Sequence, residues 1–306
     1  MKRLATLLLA SALSAHTSTY WITITGLGGE TDYTQRYKMW AEDVETSLKR
    51  AGGDTNVTTL QVPTREQVRA RFGEVAKQAK ATDSLIVMLI GHGTYDGADY
   101  KFNLQGPDIT ATELSTLMDH VPAQRQLIVN TTECSGGGIE HLHRPGRIVI
   151  SATRAGTERN ATVFARYFAE ALREPSADTD KNEAISALEA FRYAQQKTTD
   201  YFETNKRLAS EHSVIEDTGK GAGERTVTAE NGQGKLAGSF TVVRLGANAA
   251  AARDPAKRPL LDRKEQIEQG IERLKFQKAA IPEAEYKRQL TQLLLELAHI
   301  QEALDK

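Results

Sequence analysis

Residues 85–97 read LIVMLIGHGTYDG. An unbroken apolar run stops at Gly91-His92-Gly93. Residues 125–138, RQLIVNTTECSGGG, repeat the arrangement, with Cys134 following the run and three glycines behind it. Runs of this length, rich in Ile, Val and Leu and bounded by glycine, are expected as strands covered on both faces. Three further stretches are also expected as strands: YWITITGLG (20–28), which alternates β-branched residues and stops at glycines, NVTTLQV (56–62) and GRIVISAT (146–153). Between them lie helical patterns at 33–52 and 63–80. Another, TATELSTLMDHV, opens with the capping box Thr110-Ala-Thr-Glu113. Strands alternating with helices predict βαβ units and an α/β fold with a mainly parallel sheet. YDGADYKFNL (95–104) is expected as a small hairpin excursion.

Beyond the fifth strand, helices are expected at about 160–173 and 182–200, and a last strand within LAGSFTVVRL (236–245). The glycine-rich stretch 218–235 reads as loop, and GANAAAARDPAKR (246–258) as a linker. The C-terminal residues differ in kind. Tyr286, Leu290, Leu293, Leu297, Ile300 and Leu304 step by fours and threes, and Leu260, Ile267, Ile271 and Leu274 keep compatible spacing ahead of Pro282. Residues 259–306 are therefore expected as a helical hairpin or a coiled-coil extension, packed on the main domain or on a partner, a second copy included.

Composition narrows the function. Apolar residues make up 40% and charged residues 26% of 306, and the formal charge of −1 argues against a general nucleic-acid binder. One cysteine excludes an intramolecular disulfide and any site that needs two thiols. Residues 1–15 follow the grammar of a secretory signal peptide: Lys2 and Arg3, a short apolar core, then small residues. Export to a periplasm or to the extracellular space is the expectation. No other segment approaches the roughly 18 apolar residues of a membrane helix, so the mature chain is expected to have no membrane span.

In an open parallel sheet, ligands bind beyond the carboxyl ends of the strands. His92 and Cys134 both occupy such ends. A thiolate is a strong nucleophile, and a neighbouring imidazole can assist it or protonate a leaving group. Gly93 leaves room for a backbone N–H to approach a substrate carbonyl, and with the Cys134 N–H it could bind an oxyanion. A rival reading is a metal site made of Cys134, His141 and His143, the two histidines alternating as on a strand; it lacks a fourth ligand. GLGGE (26–30) lacks the third glycine of a dinucleotide loop, and EDTGKGAGE (216–224) lacks the regular acids of a calcium loop.

LIVMLIGHG followed by RQLIVNTTECSGGG resembles the caspase-like cysteine peptidases of clan CD, most of all the legumain type. SATRAGTERNATVFARYFAEAL (151–172) resembles the legumain pattern that follows the next strand. The resemblance spans residues 20–245. It implies a three-layer α/β/α caspase-like domain acting on peptide or protein substrates through a Cys–His dyad, with no metal and no cofactor. Residue by residue, it implies His92 as general acid/base, Cys134 as nucleophile and Gly93 as oxyanion donor. It also implies Arg36 as a ligand of the substrate side chain, and places Glu133, Ser151 and Thr153 at substrate. The sequence departs from legumains before the thiol, where Thr132 replaces an acid and Glu133 replaces a small residue. Glu133 would disfavour the thiolate if it pointed inward. A catalytically silent caspase-like binding module, docking through the C-terminal helices, is the alternative these two residues favour.

Overall fold

The computed structural model describes residues 17–53, 55–228, 230–278 and 280–306. The expected signal peptide lies outside the described residues.

Strand β1 (Thr19–Thr25) leads into helix α1 (Thr31–Ala51), and β2 (Thr55–Gln61) into α2 (Arg65–Gln78). A full capping box opens α2: the Thr64 hydroxyl accepts from Gln67 N–H, and the Gln67 side chain accepts from Thr64 N–H. Then come β3 (Ser84–Ile90) and a three-stranded antiparallel excursion of β4 (Gly93–Tyr95), β5 (Tyr100–Phe102) and β6 (Ile109–Thr110). The chain continues through α3 (Ala111–Asp119), which Thr110 caps as expected, to β7 (Arg125–Asn130). A 3-10 turn (Ser135–Gly138) precedes α4 (Ile139–Leu142) and β8 (Arg147–Ser151). Helix α5 (Phe164–Ala171), β9 (Ala184–Ser186), α6 (Ala187–Thr204) and β10 (Val214–Glu216) follow. The chain closes with α7 (Lys235–Gly238), β11 (Thr241–Arg244), α8 (Gly246–Ala251), α9 (Arg258–Gln277) and α10 (Glu283–Asp305).

The main sheet runs β10-β8-β7-β3-β1-β2, parallel except for β10. The unbroken apolar character of β3 follows from its two faces. Ile86, Met88 and Ile90 enter one core with α1, α5 and α6, while Leu85, Val87 and Leu89 enter the other with α2, α3 and α4. Each such side chain contributes about 1.5–3 kcal/mol by leaving water. The result is the three-layer α/β/α arrangement expected from the sequence.

The last main-sheet strand differs from the expectation. LAGSFTVVRL supplies β11, which pairs with β9 in a separate two-stranded sheet. The edge of the main sheet is instead β10, whose three residues are too few to show a period. Residues 246–251, expected as linker, are helical. Helix α9 packs on the body: Leu261, Ile267, Ile271 and Leu274 are buried, Lys264 is buried against Asn248, and Arg244 pairs with Glu265. Helix α10 lies along α9, with Leu304 its one buried residue and Leu294 and Leu295 exposed. No helix of the described residues is long and apolar enough to cross a membrane.

Candidate active site

After β1 the chain adds β2 on one side of the sheet, then β3, β7 and β8 on the other. The direction reverses between β1 and β3, so the loops leaving these strands border a crevice. In register Thr25 faces Ile90 and Leu89 faces Asn130, so β1, β3 and β7 end level. His92 follows β3 by two residues and Cys134 follows β7 by four. The two ends are tied together directly: Thr131 N–H and its hydroxyl both donate to Leu89 O, at 3.1 and 2.6 Å.

His92 is held from three sides. Its Nδ1 lies 2.7 Å from Glu133 Oε1, and its Nε2 lies 3.2 Å from Gly28 O in the loop after β1. The Tyr37 hydroxyl approaches the ring at 3.1–3.3 Å, and the rings of Tyr33 and Tyr37 stand edge-on to it. With a carboxylate and a carbonyl as acceptors, the imidazolium is the form that satisfies both contacts. The Glu133 hydrogen bond accordingly raises the His92 pKa above its ordinary value, outweighing the opposite effect of burial. Burial raises the pKa of Tyr37, so its phenol stays protonated.

Cys134 is 2% exposed and sits at φ 59°, in the left-handed region. For a residue with a Cβ this costs about 1–3 kcal/mol. Burial raises the thiol pKa, the Glu133 carboxylate adds to it, and Arg159 opposes. Among the described residues, the partners of the His92 ring nitrogens are Glu133, Gly28 and Tyr37; the thiol is not one of them. The Cys134 N–H, expected as an oxyanion donor, is already donated to Glu158 O at 2.7 Å.

The other expected site residues fall into different roles. Ser151 and Thr153, expected at substrate, are fully buried. Ser151 Oγ bonds Ser135 Oγ at 2.8 Å, and Thr153 Oγ1 accepts from Gly136 N–H at 2.9 Å, so both brace the turn behind Cys134. That turn needs glycine, because a Cβ at Gly136 would lie 2.2 Å from Ala155 N. Gly93 is equally constrained: its Cβ would meet the Tyr100 ring and the Thr132 hydroxyl. Thr132, at the position acidic in legumains, is fully buried and bonds Tyr100 OH at 2.6 Å and Asn130 Oδ1 at 3.0 Å. Glu133 points inward to His92, and its Oε2 is buried with no hydrogen-bond partner among the described residues.

Arg36 lies on the exposed face of α1, 5.6 Å above the Tyr33 ring. It borders a cavity of about 770 Å³ between α1, α5 and residues 160–163. Tyr33 lines the same cavity, which places the cavity beside His92. Arg166 and Arg207 border it too, neither with a carboxylate ion pair among the described residues, whereas Arg173 is paired with Asp43 at 3.1 Å.

The rival metal site does not assemble. His141 and His143 sit on and just after α4, not on a strand, and their rings bond Ala98 O and Ile139 O. Among the described residues, the clustered metal-ligand side chains are Asp178, Asp180 and Glu189, and the backbone N–H groups of Thr179, Asp180, Asn182 and Glu183 donate to their oxygens. Tyr33, Tyr37, Gly28 and Glu158 were not anticipated from the sequence. The four-residue spacing of Tyr33 and Tyr37 on the helix after β1 was the available signal.

No family model matches the chain, and no curated protein sequence matches it. Among solved structures it is similar to caspase-1 from Spodoptera frugiperda, with TM-score 0.47 and 14% identity over 66% of this chain and 87% of that one. It is also similar to the Drosophila initiator caspase Dronc, with TM-score 0.43 and 9% identity over 67% of this chain and 81% of that one.

Proposed function

We propose that the chain is a cysteine endopeptidase of the legumain/caspase-like type, with Cys134 as nucleophile and His92 as general acid/base. The observation that carries the reading is the meeting of two strand ends: the residue next to the sole thiol touches His92 at 2.7 Å. In the reaction, the Cys134 thiol gives its proton to solvent water, and the thiolate attacks the peptide carbonyl carbon. The carbonyl π electrons move to oxygen, and the C–N bond breaks as the amine takes a proton from His92. Water then hydrolyses the thioester and restores the thiol. An imidazolium stabilised by Glu133 suits the acid step. Each ring proton is engaged, Nδ1–H by Glu133 and Nε2–H by Gly28 O, so the nitrogen that serves the leaving group must first release its acceptor.

Arg36, with Arg166 and Arg207, gives the adjoining cavity a positive border, which favours substrates with an acidic or polar side chain. Export of the mature enzyme is part of this proposal and is supported by the signal-like composition of residues 1–15. Labelling with peptide acyloxymethyl ketones of varied terminal residue, wild type against Cys134→Ala, tests the assignment. Labelling and peptide hydrolysis should both vanish in the variant. Equal hydrolysis by purified wild type and Cys134→Ala would end the peptidase reading.

A second reading is a catalytically silent module. The buried thiol, the occupied Cys134 N–H and the engaged His92 nitrogens favour it.

A further inference from the structure

The Cys134 N–H is blocked by a segment with anchors of its own. Residues 154–163 run from the turn after β8 to the start of α5, crossing in front of the cysteine loop. At their centre, Glu158 acts through both its backbone and its side chain. Its carbonyl takes the Cys134 N–H at 2.7 Å. Its carboxylate takes His212 Nδ1 at 2.7 Å, His212 N–H at 3.1 Å and Arg154 N–H at 3.1 Å. The Arg154 guanidinium adds an ion pair at 3.2 Å. The far end is pinned as well: the Thr162 hydroxyl bonds Thr131 O, and Glu211 caps Val163 and Phe164 N–H at 2.8 and 3.3 Å.

We propose that Glu158 and His212 form a latch that keeps the Cys134 N–H closed in the resting protein. Glu158 is a positioning residue: it acts on the reaction only by withholding the oxyanion donor. The latch touches the substrate side, because residues 160–163 and Arg207, Leu208 and Ser210 line the 770 Å³ cavity. A peptide filling that cavity presses on the two segments that Glu158 and His212 join, and opening them frees the N–H. This rests on the peptidase reading of Cys134. It accounts for the silent look of the resting site without a loss of activity.

The single cysteine supplies a selective probe, since labelling with ¹⁵N-cysteine leaves one amide signal, that of Cys134. Its hydrogen exchange reports the latch whether or not the protein hydrolyses anything. Wild type should show a protected amide. His212→Ala and Glu158→Gln should speed its exchange by about tenfold or more, the effect of losing one charge-assisted hydrogen bond. His212→Asn, which can restore a donor near the Nδ1 position, should recover protection. kcat on a peptide substrate should rise in the two opening variants with KM little changed, whereas a merely structural defect would lower kcat and Tm together. Equal protection in wild type and in a folded His212→Ala or Glu158→Gln protein overturns the latch. So does an opened amide with unchanged or lower kcat. Failure of the peptidase reading shows separately, as equal hydrolysis by wild type and Cys134→Ala.

Discussion

His92 Nδ1 lies 2.7 Å from Glu133 Oε1, so the residue beside the sole cysteine of the chain holds the histidine that follows β3. The Glu133 hydrogen bond raises the pKa of His92, and after burial the Glu133 carboxylate also raises that of Cys134.

Glu133→Gln should therefore lower the titration midpoint of His92, read from its imidazole signals by NMR. The linkage has a definite sign. A histidine pKa raised by folding stabilises the protein fully below its unfolded value, about 6.5, and that contribution is lost as pH rises through the folded pKa. Wild type should lose this increment on the alkaline side of 6.5, and Glu133→Gln should lack it. An unmoved midpoint would mean that Glu133 does not hold the ring in solution.

The left-handed backbone of Cys134 predicts an order of stabilities. Cys134→Gly relieves the strain at φ 59° and Cys134→Ala keeps it. Glycine costs about 0.5–1 kcal/mol in the unfolded chain, against about 1–3 kcal/mol of strain relieved. Thermal unfolding should place the Gly variant at or above the Ala variant. A Gly variant clearly below Ala would show that the conformation is not strained.

At the cavity, Arg36→Ala should reduce the preference for acidic over neutral side chains in a profile of cleaved peptides. An exposed guanidinium contact of this kind is worth on the order of 1 kcal/mol, or a few-fold in kcat/KM. A profile unchanged in Arg36→Ala removes Arg36 from the specificity pocket.

The C-terminal helices should behave differently when truncated. A chain ending at residue 280 loses α10, which packs along α9 and through Leu304 meets Ala251 and Ala252, and should stay folded with a modest drop in Tm. A chain ending at residue 257 also loses the buried Leu261, Ile267, Ile271 and Leu274, together worth several kcal/mol, and should unfold or aggregate. If residues 1–257 matched the full chain in Tm, α9 would be an appendage rather than part of the body.

The sequence by itself determined the layered α/β plan. Buried parallel strands need apolar side chains on both faces, so LIVMLI and IVISA declare themselves within a short window, and capping residues mark α2 and α3. The positions of His92 and Cys134 just past strand ends were legible for the same reason. Strand β10 was not, because three residues carry no period and its place at the edge depends on a partner, β8, some sixty residues away. The detail of the site was decided by tertiary structure alone. Whether Glu133 points to solvent or to His92 depends on the level ends of β3 and β7. The burial of Ser151 and Thr153 depends on the turn that packs over them, and the pairing of the Cys134 N–H on a carbonyl in the next loop. These are relations between segments distant in sequence, set by sheet order and loop packing, and no local pattern of residue types encodes them.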